Sequence, residues 1–190
     1  MSSALPDPPR TPKAEATRQR LLDLAARLFI ERGYEAVSLR DLALQAGLTK
    51  GAIYGHFRSK GQLLVEVIRT ELETRDAAID LEVAAADPAA MFDLFIHPGS
   101  RELRMLQIDA AAASRHDADV AVGLDELHRT RGSWIIESLG GVEDAETIAF
   151  VISALSAGVG ALESQERELP DVDAWRRIVS RMLGRAMRDS

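Results

Sequence analysis

Four helix starts are packed into residues 11–60, a spacing that forces the chain to fold back on itself as a set of short helices. Thr11 followed by Pro12 reads as an N-cap with proline at the first helical position, where a missing N–H costs nothing. Ser38 precedes Asp41 by three residues, and Ser59 precedes Gln62 by the same interval. Both pairs read as capping boxes, in which hydroxyl and distal side chain satisfy each other's free N–H groups. Thr49 supplies the remaining cap. Gly33 and Gly47 supply stops. Between these signals the apolar residues recur at helical spacing: Leu21, Leu24, Ala25, Leu28 and Phe29; then Leu42, Ala43 and Ala46; then Leu63, Leu64, Val67 and Ile68. The pattern predicts helices of about 18, 9 and 7 residues, followed by a long fourth one.

Beyond Arg75 four or five further helical segments are expected, broken at Asp87-Pro88, His97-Pro98-Gly99, Gly140-Gly141 and Leu169-Pro170-Asp171. No alternation long enough for a strand is evident, and aromatic residues make up only 5% of a chain rich in alanine. The expected fold is therefore all-α, with about nine helices. Residues 1–10 form a Pro-rich tail expected to be disordered. Residues 11–60 form an N-terminal three-helix module, and 61–190 a C-terminal helical bundle.

The net charge of −7 argues at first against a nucleic-acid partner, but its distribution reverses that inference. Residues 10–60 hold 10 Lys or Arg against 5 Asp or Glu, while residues 76–190 hold 11 against 21. A basic first third on an acidic remainder suits a polyanion-binding module joined to something else. Two short helices joined through a glycine turn describe a helix-turn-helix, whose second helix enters the DNA major groove by its N-terminal end.

On that placement Ile53 and Phe57 point inward with Leu28, Leu42 and Leu48, and the segment 49–60 carries the readout. Lys50 can donate to guanine or phosphate, Ala52 can touch a thymine methyl, and Gly51 lets the backbone come close. Tyr54, His56 and Lys60 suit phosphate oxygens, as do Ser38 and Arg40 at the start of the preceding helix. An alternative reading of the same basic face is a helical adaptor that docks on an acidic partner and has no operator.

Residues 14–64 resemble the DNA-binding domain of TetR-family transcriptional regulators. The likeness rests on Phe29-x-x-x-Gly33-Tyr34, on Val37-Ser38-Leu39-Arg40-Asp41-Leu42-Ala43, on Ala46-Gly47-Leu48-Thr49-Lys50-Gly51-Ala52-Ile53-Tyr54, and most specifically on Tyr54-x-His56-Phe57-x-Ser59-Lys60-x-x-Leu63. The resemblance implies DNA contacts from the positions of Ser38, Arg40, Thr49, Lys50, Ala52, Tyr54, His56 and Lys60. It also implies a homodimer on double-stranded DNA with a palindromic operator, and a C-terminal domain that binds a small-molecule effector and dimerises. Gly55 departs from the family, which more often has a bulky or polar residue there.

The C-terminal part fits that architecture by pattern. Ile148, Val151, Ile152, Leu155, Val159 and Leu162 form a stripe, and Trp175, Ile178, Val179, Met182, Leu183, Ala186 and Met187 form another. Two amphipathic helices ending the chain suit a four-helix dimer interface, with Ile152, Leu155, Val159, Leu162, Trp175, Ile178, Val179 and Met182 at the contact. Polar residues that interrupt apolar faces, namely Gln107, Ser114, Trp134, Ser153 and Ser156, are candidate effector contacts. The acidic surroundings favour a neutral or cationic effector over a strongly anionic one.

Enzymatic patterns are missing from the sequence. There is no Glu-x-x-His or His-x-x-x-His pair, no phosphate-binding Gly-rich loop followed by Lys, and no Gly-x-Ser-x-Gly elbow. With no cysteine, a thiolate metal site is impossible. No enzyme activity, cofactor or metal is expected. No signal peptide or membrane-crossing run stands out, so a cytoplasmic protein with no membrane partner is expected.

Overall fold

The computed structural model describes residues 11–77, 98–138, 144–169, 171, 173–175, 177, 178 and 181. Its bounded helices are α1 (Pro12–Arg32), α2 (Leu39–Gln45), α3 (Lys50–Tyr54), α4 (Lys60–Asp76), α5 (Arg101–Ala113), α6 (Ala118–Ser138) and α7 (Ala145–Glu163). A short 3-10 turn, Pro98–Ser100, leads into α5, and residues 173–175, 177, 178 and 181 are helical again. No strand occurs among the described residues. The expected breaks at Asp87-Pro88 and Gly140-Gly141 lie outside them, as does the whole tail, residues 1–10.

The cap residues begin the helices as expected. Thr11 Oγ1 accepts from the Ala14 N–H, Thr49 Oγ1 from Ala52, and Ser59 Oγ from Gln62. Ser38 and Asp41 form a complete capping box. The box at Ser59 is not reciprocal, because Gln62 Oε1 reaches one residue further back and accepts from the Arg58 N–H at 2.9 Å. Gly33 and Gly47 take φ of +78° and +68°, left-handed values that glycine adopts without a Cβ penalty. The first helix is longer than the spacing suggested, at 21 residues, and α2 and α3 are shorter, at 7 and 5.

One buried core runs from Leu21 in α1 through Phe57 and Ile68 to Leu127 in α6. It crosses the expected boundary at residue 60 without interruption. The amphipathic α4 is the shared element, packed on α1, α5 and α6. Helix α6 comes close to α4 at Gly123, where a Cβ would stand 2.8 Å from the Val65 side chain.

The stripe expected on α7 divides into two faces. Ile152 and Val159 are buried with Ala149, Ser156 and Gly160. This face meets α5, where Gly160 lets the Arg104 Cβ and the Ile108 side chain approach. Ile152 and Val159, expected at a dimer contact, are thus already buried within this chain. A helix that is apolar or small all round gives no periodic cue to which face looks inward. The other face exposes Phe150 (73%), Val151, Leu155 and Leu162. Of the last expected stripe, Trp175 is half-buried and Ile178 exposed, while Val179 and Met182 lie outside the described residues.

By length and composition alone α7 could cross a membrane, contrary to the expectation that no such run exists. It packs on α5 and α6 and ends in a buried ion pair: Arg104 Nε and an Nη each donate to the Glu163 carboxylate, at 2.7 and 2.6 Å.

Candidate nucleic-acid interface

The side chains of α2, α3 and the start of α4 meet around a surface cleft of about 560 Å3. Ser38, Arg40, Lys50, Tyr54 and Lys60 line it, together with Arg58, which the sequence reading had passed over. The cleft owes its shape to the caps. Ser38 and Ser59 fix where α2 and α4 begin, and Thr49 fixes the start of α3, so the amide-rich ends of these helices are set in place. Ile53 and Phe57 anchor the recognition segment from beneath and are fully buried, as the spacing required.

Lys50 is exposed at the first position of α3, with its ammonium 5.8 Å from the Tyr54 ring centroid. Tyr54 is half-exposed on the same helix. Gly51 is exposed, and open space surrounds the point where a side chain would begin. Thr49, Gly51, Ala52 and His56 do not line the cleft. Thr49 is exposed and caps α3, Ala52 is half-buried, and His56 is half-buried with its ring tilted against Phe57.

Lys60, expected to suit phosphate oxygens, already has partners within the chain. Its ammonium donates to the Tyr34 carbonyl at 3.0 Å and lies 4.0 Å above the Tyr34 ring, with the Glu35 carboxylate at 3.8 Å. Phosphate therefore has to compete with the loop that follows α1. Asp41 is held below the usual carboxylate range by hydrogen bonds from Ser38, whose hydroxyl donates at 2.5 Å. The box therefore stays charged at neutral pH, and the Ser38 side chain is oriented.

The loop between α1 and α2 is also bolted to the body of the protein. The Tyr34 N–H donates to Asp109 of α5 at 2.9 Å, and the Tyr34 hydroxyl donates to Asp117 at 3.0 Å. Asp117 caps α6 through its other oxygen, accepting from the N–H groups of Asp119 and Val120. Burial, then the hydrogen bond to Asp117, pushes the Tyr34 phenol well above its ordinary value, so it stays a donor. None of these long-range partners carried a sequence signal.

Of the candidate effector contacts only Trp134 lines the small cavity between α4 and α6, about 180 Å3, with Arg69, Leu72, Glu73, Asp76, Leu127, Thr130 and Arg131. The Arg131 guanidinium lies 4.4 Å from the Trp134 ring centroid and pairs with Asp76. Gln107 is half-buried on α5, and the Ser114 hydroxyl donates to the Ala111 carbonyl at 2.9 Å. Ser153 is exposed and bonds its own helix at Ala149, while Ser156 is buried on the inner face of α7. The structure does not gather these residues into one site.

The N-terminal helices form a helix-turn-helix with a cationic cleft, carried on an all-helical body. Residues 21–67 match the profile of the family described as bacterial regulatory proteins, tetR family. The chain is 38% identical over 89 residues to the HTH-type transcriptional regulator AcrR of Shigella flexneri, an alignment covering 45% of this chain and 41% of AcrR. It is 31% identical over 118 residues to the HTH-type transcriptional repressor KstR2 of Mycobacterium tuberculosis, covering 62% of this chain and 54% of KstR2. The aligned segments thus span about half the length of these relatives. The whole fold is similar to that of a transcriptional regulator from Rhodococcus sp. Rha1, with a TM-score of 0.68 and 21% identity over 90% of this chain and 96% of that one.

Proposed function

We propose that the protein is a dimeric, sequence-specific DNA-binding transcriptional regulator, a cytoplasmic repressor released from a palindromic operator by a small-molecule effector. The observation that carries this reading is the single cleft shared by Ser38, Arg40, Lys50, Tyr54 and Lys60 at the ends of three capped helices. Lys50 supplies base readout and Ser38, Arg40, Tyr54 and Lys60 supply phosphate contacts, with Gly51 and Ala52 against the groove floor and Thr49 and His56 at its edge.

A second copy covers the exposed apolar face of α7, formed by Phe150, Val151, Leu155 and Leu162, and Ile178 extends the same need for cover. Two recognition helices then reach half-sites about 34–36 Å apart on one face of the duplex. The effector binds beside Trp134. Glu73 and Asp76 in that wall are balanced by Arg69 and Arg131, and the Trp134 ring suits a neutral molecule with a planar apolar part.

Selection of bound sequences from a random duplex library at near-physiological salt tests the reading, with sedimentation of the protein alone reporting its oligomeric state. A palindrome with half-sites one helical turn apart is the expected result. Salt-labile binding with no sequence preference would instead favour the adaptor that docks on an acidic partner.

A further inference from the structure

Arg58 is the cation of the cleft that has no place in the contacts assigned above. It follows the recognition helix, and its backbone N–H is fixed by Gln62. Arg58 lines the cleft with Arg40, Lys50 and Lys60, while its guanidinium lies 3.4 Å from the Asp119 carboxylate. Asp119 belongs to the first turn of α6, beside the Asp117 that receives the Tyr34 hydroxyl. The body of the protein thus lays a carboxylate against a cation at the edge of the DNA-facing surface.

We propose that Arg58 is a further phosphate-binding residue and that Asp119 is its built-in competitor, so that the position of α6 sets how much of this cation DNA can use. The inference rests on the DNA-binding reading above. Three observations carry it. The Arg58 side chain is 70% exposed, so a phosphate can reach it without rearrangement. An exposed pair at this distance is weak, so a phosphate, which an arginine can grip with two parallel N–H donors, displaces it. Finally, the competing carboxylate comes from α6, which also walls the Trp134 cavity, so a ligand that shifts α6 shifts the competitor with it. Moving Asp119 toward Arg58 withdraws one cation from the phosphates, and moving it away returns the cation. Neither change needs the helix-turn-helix itself to deform.

The test measures binding of the full-length protein to a labelled random-sequence duplex of 30 base pairs, from 50 to 200 mM salt, for wild type, Arg58→Ala, Arg58→Lys, Asp119→Asn and the double variant Arg58→Ala/Asp119→Asn. Each lost phosphate contact removes about 0.9 from the slope of log affinity against log salt, so wild-type affinity should fall about 3.5-fold more than that of Arg58→Ala over this range. Arg58→Lys should keep the slope. Asp119→Asn should tighten binding by about 2- to 3-fold, and that gain should vanish in the double variant. An unchanged slope in Arg58→Ala overturns the phosphate contact. An equal gain from Asp119→Asn with and without Arg58 overturns the competition, because it would then be a long-range charge effect only. If wild type fails to bind the duplex at any salt, the DNA-binding reading itself falls.

Discussion

The Tyr34 hydroxyl donates to Asp117 at 3.0 Å across 83 residues of sequence, tying the loop that supports the helix-turn-helix to the residue that caps α6. The phenol is buried and its partner carboxylate is also the cap of α6, so one hydrogen bond serves two elements. Tyr34→Phe keeps the ring that Phe29 and Lys60 pack against and removes only that donor. Hydrogen bonds to charged groups contribute about 1.5–3 kcal/mol, and Tyr34→Phe should lower stability to urea by an amount in the lower half of that range. An unaltered unfolding midpoint would mean the bond contributes nothing net.

Lys60→Ala should have two effects. It should weaken binding to every duplex and flatten the salt slope by about one unit. It should also loosen the loop, because its ammonium bridges the Tyr34 carbonyl and the Glu35 carboxylate. Faster amide exchange at Glu35 and Ala36 in the free protein is the readout for the second effect, which a purely DNA-facing lysine would not produce.

Lys50→Ala should change which sequences are bound more than how tightly random DNA is held. Lys50 stands exposed at the head of the recognition helix, where donors meet base edges. Repeating the library selection with the variant checks this. Recovery of the wild-type motif at full strength would place the readout elsewhere.

Gly123→Ala should destabilise the protein by about 1–3 kcal/mol, because the new methyl would sit 2.8 Å from the Val65 side chain in a closely packed helix crossing. Adding Val65→Ala should recover part of that loss by making room. A double variant no more stable than Gly123→Ala would show that the crossing had repacked by another route.

Acid should weaken the start of α2. Hydrogen bonds from Ser38 hold the Asp41 carboxyl below its ordinary value in the folded protein. The stabilisation is therefore present above the unfolded carboxyl value, and it is lost as pH falls through the lower folded one. An NMR titration of the Ser38 and Asp41 amides should show this transition below the ordinary carboxylate range, and Asp41→Asn should abolish it.

The helix starts were legible because each cap is a local event, decided by a hydroxyl or carboxylate within three residues of the N–H it satisfies. The inward faces of α1, α2 and α4 were legible for a related reason, since polar residues mark their outer sides. The faces of α7 were not. With Ala, Ser and Gly around most of its circumference, periodicity could not say that Ile152 packs on α5 while Leu155 looks outward. The partners of Lys60, Arg58 and Arg104 were equally invisible. Each meets a residue distant in the chain, and Arg104 reaches Glu163 across 59 positions. A charge in a sequence announces that it needs a partner or water, but not which. The same ambiguity scattered the candidate effector residues, of which only Trp134 reached a cavity wall.

The core that passes from Leu21 to Leu127 without a seam bears on how such helix-turn-helix modules can be recombined. A chimera cut at residue 60 would graft foreign side chains onto Leu63, Val65 and Ile68, and would separate Tyr34 from both Asp109 and Asp117. Transplanting the specificity of this protein onto another body therefore requires moving α4 and the corner between α5 and α6 along with the recognition helix. The transferable unit is defined by who packs against whom, and it is not contiguous in the gene.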